Sequence, residues 1–185
     1  MTTPAFHELA DILDFTGADL AANREGFITE RQVKGLRIKH LGMSISLFIE
    51  FLFAMGLAAF LLITLFIWLN SPFRNLADLL GFLVFLAVTG SLVAIVSYHL
   101  LILRRRRWLA YGQDLKAGIV KCVKGQLIKT ARKNRNSWWT IRISGEELPI
   151  NQKIFPYFEH GTSYHIYFTP HTRIILSVEF VQDTV

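Results

Sequence analysis

One carboxylate stands inside a long apolar run of this chain. Glu50 is the only charged residue of the block LGMSISLFIEFLFAMGLAAFLLITLFIWL, which covers residues 41–69. A second apolar block covers residues 79–103, and polar side chains lie near its end: Ser97, Tyr98 and His99. A carboxylate, a phenol and an imidazole can exchange protons. If they met in an apolar setting, they would form a lock between helices or a relay for protons or ions.

Three roles fit Glu50, and all three depend on where its carboxyl group finds a partner. It is protonated, or hydrogen-bonded to Tyr98 or His99, and locks two helices together; or it meets a residue of a partner membrane protein; or it takes part in a relay. Two helices alone enclose no pathway for an ion, so we favour the lock. A Glu50→Gln variant separates these roles, because a lock tolerates the change and a proton relay does not.

The two apolar blocks have the length of membrane spans. They contain 29 and 25 residues, and a helix needs about 20 apolar residues to cross a hydrocarbon layer of about 30 Å. The first block begins after forty mixed residues and is too long for a signal peptide. The sequence predicts transmembrane helices at 41–69 and 79–103, joined by an external turn at 70–78.

The basic residues predict the orientation of this hairpin. Lys and Arg remain on the cytoplasmic side of membrane helices, and four consecutive arginines follow the second block: Arg104, Arg105, Arg106 and Arg107. The turn at 70–78 holds one Arg and one Asp. We therefore expect a multi-pass protein of a bacterial-type inner (plasma) membrane with both termini cytoplasmic. The arginines would contact anionic lipid headgroups, and nucleic-acid binding by the same run is disfavoured.

Small residues predict how the two helices pack. A turn centred near Arg74 pairs residues whose numbers add to about 148. This register sets Ala54 opposite Ala94 and Ala58 opposite Gly90, and small residues let helix backbones approach closely in lipid. It also brings Glu50 level with Tyr98.

Residues 1–40 predict short amphipathic helices on the cytoplasmic side. Pro4 opens the first helix, and TGAD at 16–19 offers a second start. Thr29 and Gln32 form a capping-box pattern for a helix that runs into the first span. The apolar face of the first helix would lie on the membrane or on another subunit.

A basic linker at 104–110 leads to a β domain at 111–185. Alternating short runs predict strands at 118–123, 126–132, 138–144, 163–169 and 173–181, with a turn at 145–150. Five or six short strands in so few residues predict a small closed barrel or roll of the OB or SH3 sort. The predicted fold class is thus a transmembrane two-helix hairpin with a small all-β domain.

Basic and aromatic residues of the first strands predict a docking surface on this domain. Its proposed members are Lys129, Arg132, Trp138 and Arg142. On an OB-like barrel this pattern is typical of single-stranded nucleic-acid binders. A domain tethered beside an anionic leaflet uses the same charges for lipid, and we favour that interpretation.

No pattern of residues predicts a metal site or catalysis. His160, His165 and His171 lie in the β domain without the further ligands that zinc needs. The single cysteine, Cys122, excludes an internal disulfide. We predict no cofactor, no metal and no enzymatic activity.

The predicted function is that of a non-enzymatic membrane accessory or scaffold protein. Its hairpin would sit among other membrane subunits or in a homo-oligomer, and its β domain would dock a partner. Two alternatives stay open: a subunit of an oligomeric channel or transporter that uses Glu50, and a membrane-tethered β module that senses a ligand or a nucleic acid.

Overall fold

The computed structural model describes residues 4–71, 75–98, 104–132 and 138–181. The chain divides into two compact units, Lys39–Leu109 and a second unit that combines Met1–Ile38 with Ala110–Val185. The elements of the described residues are α1 (Pro4–Leu13), α2 (Gly17–Arg24), α3 (Glu30–Leu69), α4 (Leu76–Tyr98), α5 (Arg105–Ala117), β1 (Lys121–Arg132), β2 (Trp138–Ile143), β3 (Glu146–Ile150), a short 3-10 helix (Phe155–Tyr157), β4 (Ser163–Phe168) and β5 (Ile175–Phe180).

Two helices are long and apolar enough to cross a membrane, by length and composition: Glu30–Leu69 and Ala77–Tyr98. The less exposed positions of the apolar part of α3 include a series at intervals of three and four residues: Met43, Leu47, Glu50, Ala54, Leu57, Leu61, Thr64 and Trp68. The other less exposed positions, Ser44, Ser46, Ala58 and Leu65, each adjoin a member of this series. This spacing is that of a helix-packing seam. Glu50 therefore lies within the seam of its own helix.

Aromatic contacts join α3 to α4. The Trp68 and Phe82 rings stack at 4.2 Å between centroids, and Phe60 meets Phe85 edge to face at 6.1 Å. Both pairs lie within about one helical turn of the register expected for a hairpin centred near residue 74. Several hydroxyl groups of these helices donate to the carbonyl four residues earlier, as in Thr64, whose Oγ1 donates to the Phe60 carbonyl at 2.8 Å.

The second unit is built on a five-stranded antiparallel sheet with the order β3-β2-β1-β4-β5. Residues 121–126 of β1 pair with β4, and residues 127–132 pair with β2. Gly125 lies at this change of partner with φ +148°, and a Cβ there would stand 2.5 Å from the Ser144 Oγ. Only glycine fits this close approach.

The sequence predictions for the β domain are confirmed at the level of an antiparallel sheet. Closure into a barrel is not observed, because strand pairing ends at β3 and β5 among the described strands. The predicted strands at 118–123 and 126–132 form the single strand β1, and the segment predicted as a turn at 145–150 is β3. The alternation of apolar and polar residues is interrupted at Gly125, and this interruption does not reveal that the strand continues through the glycine.

The N-terminal helices share a core with the C-terminal sheet. Leu9 of α1 is 0% exposed and belongs to the same cluster as Phe158, Ile166 and Val178. A second cluster joins α2 to the outer side of the sheet, with Leu20 packed near Leu176. The apolar face of α1 is therefore covered by this chain's own sheet, where the sequence had left a membrane or another subunit as the choices.

Polar contacts fix the start of α3 to this core. Thr29 and Gln32 form the predicted capping box, with both side chain–backbone distances at 3.3 Å. The Gln32 side-chain amide donates to the Leu176 carbonyl at 3.2 Å, and the buried Ser177 hydroxyl donates to Asn23 at 2.7 Å. In the part of the chain that the structure describes, no buried side-chain nitrogen or oxygen lacks a hydrogen-bond partner, as burial requires.

Candidate functional site

Among the described residues of the Lys39–Leu109 unit, a set of polar contacts lies at the end of the hairpin that carries the arginines. We call it the polar ladder, and its members are His40, Ser44, Ser46, Glu50, Arg104 and Trp108. Residues four apart lie above one another on a helix, and this spacing separates His40 from Ser44, Ser46 from Glu50, and Arg104 from Trp108. The sequence therefore provides two matching rows of polar side chains.

The inner rung of the polar ladder is an ion pair. The Arg104 guanidinium binds the Glu50 carboxylate and also donates to the Ser46 hydroxyl. The two charged side chains are only 35% and 27% exposed, respectively. A charge in an apolar setting is stabilised chiefly by such pairing, so Arg104 is the partner that Glu50 requires.

The outer rung is built around an indole. Trp108 Nε1 donates to the Ser44 hydroxyl at 2.8 Å. Its ring stacks on His40 with 5.2 Å between centroids and 22° between planes. Aromatic side chains with one polar edge suit the boundary between hydrocarbon and water, which agrees with the position of Trp108 at the end of the apolar block.

The predicted partners of Glu50 have other positions. Tyr98 is 59% exposed, His99 lies outside the described residues, and Ser97 lines a groove that Glu50 does not line. The sequence analysis did not identify Arg104 as the partner of Glu50, because Arg104 follows the second apolar block and was assigned to lipid headgroups. A long arginine side chain reaches back along the helix, and this reach was the available signal.

The small residues of the predicted helix interface are divided between two locations. Ala54 and Ala58 line a groove together with Val93. Gly90 is exposed, a Cβ built on it would meet no atom within 4 Å, and Ala94 is exposed as well. The buried positions of α4 are Phe82 and Thr89, and Gly90 follows Thr89 directly, which turns it about 100° away at 3.6 residues per turn.

The four arginines also have different roles. Arg104 binds Glu50, and Arg105 lines the groove that holds Ala54 and Ala58. Arg106 and Arg107 are exposed. The run is therefore not one uniform patch of positive charge.

The predicted docking surface of the β domain is split between two faces. Lys129 pairs with Ile141 in the sheet register, while Arg142 pairs with Ile128. Successive side chains of a strand point to opposite faces, so Lys129 and Arg142 do not share one. The ammonium of Lys129 lies 4.9 Å from the Phe155 ring centre, whereas Arg142 binds Glu147. The side chains of Arg132 and Trp138 lie outside the described residues.

The histidines of the β domain do not converge. The His160 Nδ1 accepts from the Lys129 backbone at 3.2 Å, and His165 lies 3.7 Å from Glu179. The backbone of His171 donates to Asp114 at 2.9 Å. No group of three His, Cys, Asp or Glu side chains able to hold a metal is found in the part of the chain that the structure describes.

Asp114 is a buried carboxylate that sequence reasoning missed. It lies on α5 with 0% exposure and accepts from the backbones of His171 and Thr172 at 2.9 and 2.8 Å, and from the Thr172 hydroxyl at 2.6 Å. These bonds fix the turn between β4 and β5 to α5. The expected linker at 104–110 therefore begins a helix that extends to Ala117.

Cys122 projects from β1 as an exposed thiol. Neighbouring groups that remove part of the water around the sulfur raise its pKa even so, and the charge of Lys124 offsets part of this effect. Its neighbour Tyr167 is buried, which raises the pKa of the phenol to about 12. A thiol whose pKa is raised is a weaker nucleophile at neutral pH than an unperturbed thiol.

Comparison of the chain with models of protein families, with curated proteins and with solved structures gives no significant match in any of the three.

Proposed function

We propose that this chain is a non-enzymatic integral membrane accessory or scaffold protein. Its helical hairpin would be held in a bacterial-type inner membrane, and its β domain would dock a protein partner in the cytoplasm. One observation carries the proposal: Leu9 near the start of the chain is buried in the same core as Val178 near its end. Segments that share a core fold on one side of a membrane, and this favours a hairpin between them.

The charge distribution supports a cytoplasmic location for that side. Arg104 to Arg107 directly follow the second apolar block, while the turn between the blocks contains one Arg. Positive residues near membrane helices favour the cytoplasmic side. The polar ladder supports the lock interpretation of Glu50, because its carboxylate is bound by Arg104. In the described parts of the two apolar blocks, Glu50 has no second charged residue with which to form a relay.

Two contacts favour a partly open barrel of the OB type for the β domain. Arg173, just before β5, donates to the Glu147 carbonyl of β3 at 3.0 Å. The same guanidinium lies 3.5 Å from the Glu146 carboxylate. The two edge strands are thus linked through side chains, in the strand order β3-β2-β1-β4-β5. OB folds bind their ligands on the face of strands 2 and 3, which here carries Arg142.

The outward face of β1 and β2 is the docking surface of the proposal. Ile128 is 49% exposed there, and Arg142 is its register partner. An exposed aliphatic side chain beside an arginine is a common centre of protein interfaces.

The single cysteine provides a direct test of topology. An impermeant maleimide should label Cys122 only in inverted membrane vesicles, and Cys122→Ser should abolish this label. In a Cys122→Ser background, Glu8→Cys should label like Cys122, and Asn75→Cys should label only in right-side-out vesicles. Labelling of Glu8→Cys and Cys122 from opposite sides, or recovery of the protein in the aqueous fraction, would refute the hairpin.

Docking is tested by a photo-crosslinking amino acid at position 128 in the full-length protein. We expect one discrete adduct that disappears with Arg142→Glu. The matched control is the same amino acid at exposed Lys116 of α5, from which we expect no adduct. Equal adducts from both positions, or none from position 128 in a protein that is monomeric in detergent, would overturn the scaffold role.

A further inference from the structure

A groove runs along the hairpin and has one charged end. Its volume is about 470 Å³, which lies in the range of about 300–1,000 Å³ that small-molecule sites occupy. The lining is almost entirely apolar and consists of Leu47, Phe51, Ala54, Met55, Ala58, Val93, Ser97 and Arg105. The small side chains of Ala54 and Ala58 leave the space that their larger neighbours enclose.

The length of the groove matches one leaflet of a bilayer. Its lining extends along α3 from Leu47 to Ala58, which at about 1.5 Å per residue is about 17 Å. Half of a hydrocarbon layer of about 30 Å is about 15 Å. An apolar groove of this depth accommodates one acyl chain of a lipid in a single leaflet.

The charged end determines which headgroup fits. Arg105 lines the groove, while the neighbouring Arg104 is bound to Glu50. Glu50 belongs to a separate groove with Ile49 and Phe53, and no carboxylate is among the described residues that line the groove of Arg105. The Glu50 carboxylate is thus bound by Arg104 and does not neutralise the charge of Arg105 at the end of the groove.

We propose that the groove is a binding site for an anionic phospholipid, with one acyl chain beside Ala54 and Ala58 and the phosphate on Arg105. The inference rests on the membrane insertion contained in the proposed function. It goes beyond general attraction of a basic run to a membrane, because it assigns the headgroup to one arginine of four and the chain to one side of α3.

The test compares matched variants of the full-length protein in bilayers of phosphatidylcholine that contain a minor fraction of phosphatidylglycerol. Retained lipid is measured by native mass spectrometry after extraction, and we expect phosphatidylglycerol to be enriched. Arg105→Gln should lower the enrichment about five-fold, as expected for one arginine near an anionic headgroup. Arg106→Gln, which removes the same charge outside the groove, should lower it less than two-fold.

A second pair of variants tests the acyl chain. Ala58→Leu fills the groove, whereas Ala59→Leu adds the same atoms to a residue that does not line it. With a chain-labelled phosphatidylglycerol, the immobilised signal should be lost in Ala58→Leu and kept in Ala59→Leu. Equal behaviour within either pair would overturn the site.

Two further arms identify the source of the phosphate and protect the test from unrelated failures. Inorganic phosphate in excess should not displace the lipid, and displacement would show a site for free anions instead. Co-purification of a protein at a fixed ratio to this chain, with no lipid retained, would show that a protein occupies the groove and would also overturn the proposal. A chain that fails to enter membranes contradicts the proposed function, whereas an inserted chain without lipid selectivity contradicts only this inference.

Discussion

Replacing Glu50 and Arg104 by glutamine, singly and together, measures how strongly their ion pair stabilises the hairpin. Two unit charges at about 4 Å attract by about 4 kcal/mol at an effective dielectric constant of 20, whereas exposed pairs contribute about 0.2–1 kcal/mol. Both side chains are about one-third exposed, so the energy is discounted toward the lower figure. We expect a coupling free energy of about 1–2 kcal/mol from the double-mutant cycle.

The two single variants should differ in size. In Glu50→Gln the arginine retains Ser46 and can extend toward headgroups, because long cationic side chains reach the interface. In Arg104→Gln the shorter carboxylate stays in the seam of α3 without its cation. Arg104→Gln should therefore lower the free energy of unfolding more than Glu50→Gln, and the double variant should recover part of the loss.

The assay is reversible unfolding in mixed micelles, followed by tryptophan emission. Trp138→Phe and Trp139→Phe leave the signal to Trp68 and Trp108, both in the hairpin unit. Arg106→Gln is the matched control and should change the free energy by less than about 0.3 kcal/mol. A coupling free energy below about 0.3 kcal/mol, the scatter of independent sites, or a larger loss in Glu50→Gln, would refute the reasoning.

Three further predictions concern the unit that contains the sheet, and each is checked by thermal or chemical unfolding of the full-length protein. Asp114→Ala removes the buried acceptor of the His171 and Thr172 backbone donors, so it should cost about 1–3 kcal/mol in total, while Asp114→Asn should cost less. An unchanged midpoint for the alanine variant would contradict this. Leu9→Ala should lower the free energy of unfolding by about 2–5 kcal/mol. The control Glu8→Ala, at an exposed position of α1, should change it negligibly. Equal small effects of the two variants would show that α1 does not complete the core. Burial opposes ionisation of Asp19, but hydrogen bonds from Thr29 and Thr16 outweigh it and lower its pKa from 3.8; its stabilising contribution is therefore complete above that value and should fall as the pH drops through the lowered pKa, and Asp19→Asn should flatten this part of the stability–pH curve.

Much of the architecture follows from local patterns in the sequence. The apolar blocks are long enough to mark α3 and α4, and the pair Thr29 and Gln32 marks the start of α3. The alternate positions Tyr164 and Ile166 of the predicted strand at 163–169 are both fully buried, since strand side chains alternate between faces. These features depend on spacing within one element, which a sequence displays directly.

What the sequence did not reveal depends on contacts between distant segments. The pairing of Arg104 with Glu50 requires the reach of a side chain past the end of a span. Asp114 resembles any surface carboxylate of an exposed helix until the turn at His171 is brought against it. Leu9 has an amphipathic pattern that fits a membrane, a partner or a sheet equally well, and only the tertiary fold selects the sheet.

The burial of Leu9 beside Val178 has a consequence for synthesis in the cell. Leu9 and Val178 are separated by almost the whole chain. The core around Leu9 therefore cannot be completed until β5 has left the ribosome, about 10–30 seconds after α1 at about 5–20 residues per second. If the hairpin is inserted as proposed, both apolar helices enter the membrane during that interval while the apolar face of α1 remains uncovered. In the proposed topology, a chain with a misplaced span would keep α1 and β5 on opposite sides of the membrane and would leave this core open for proteases to recognise.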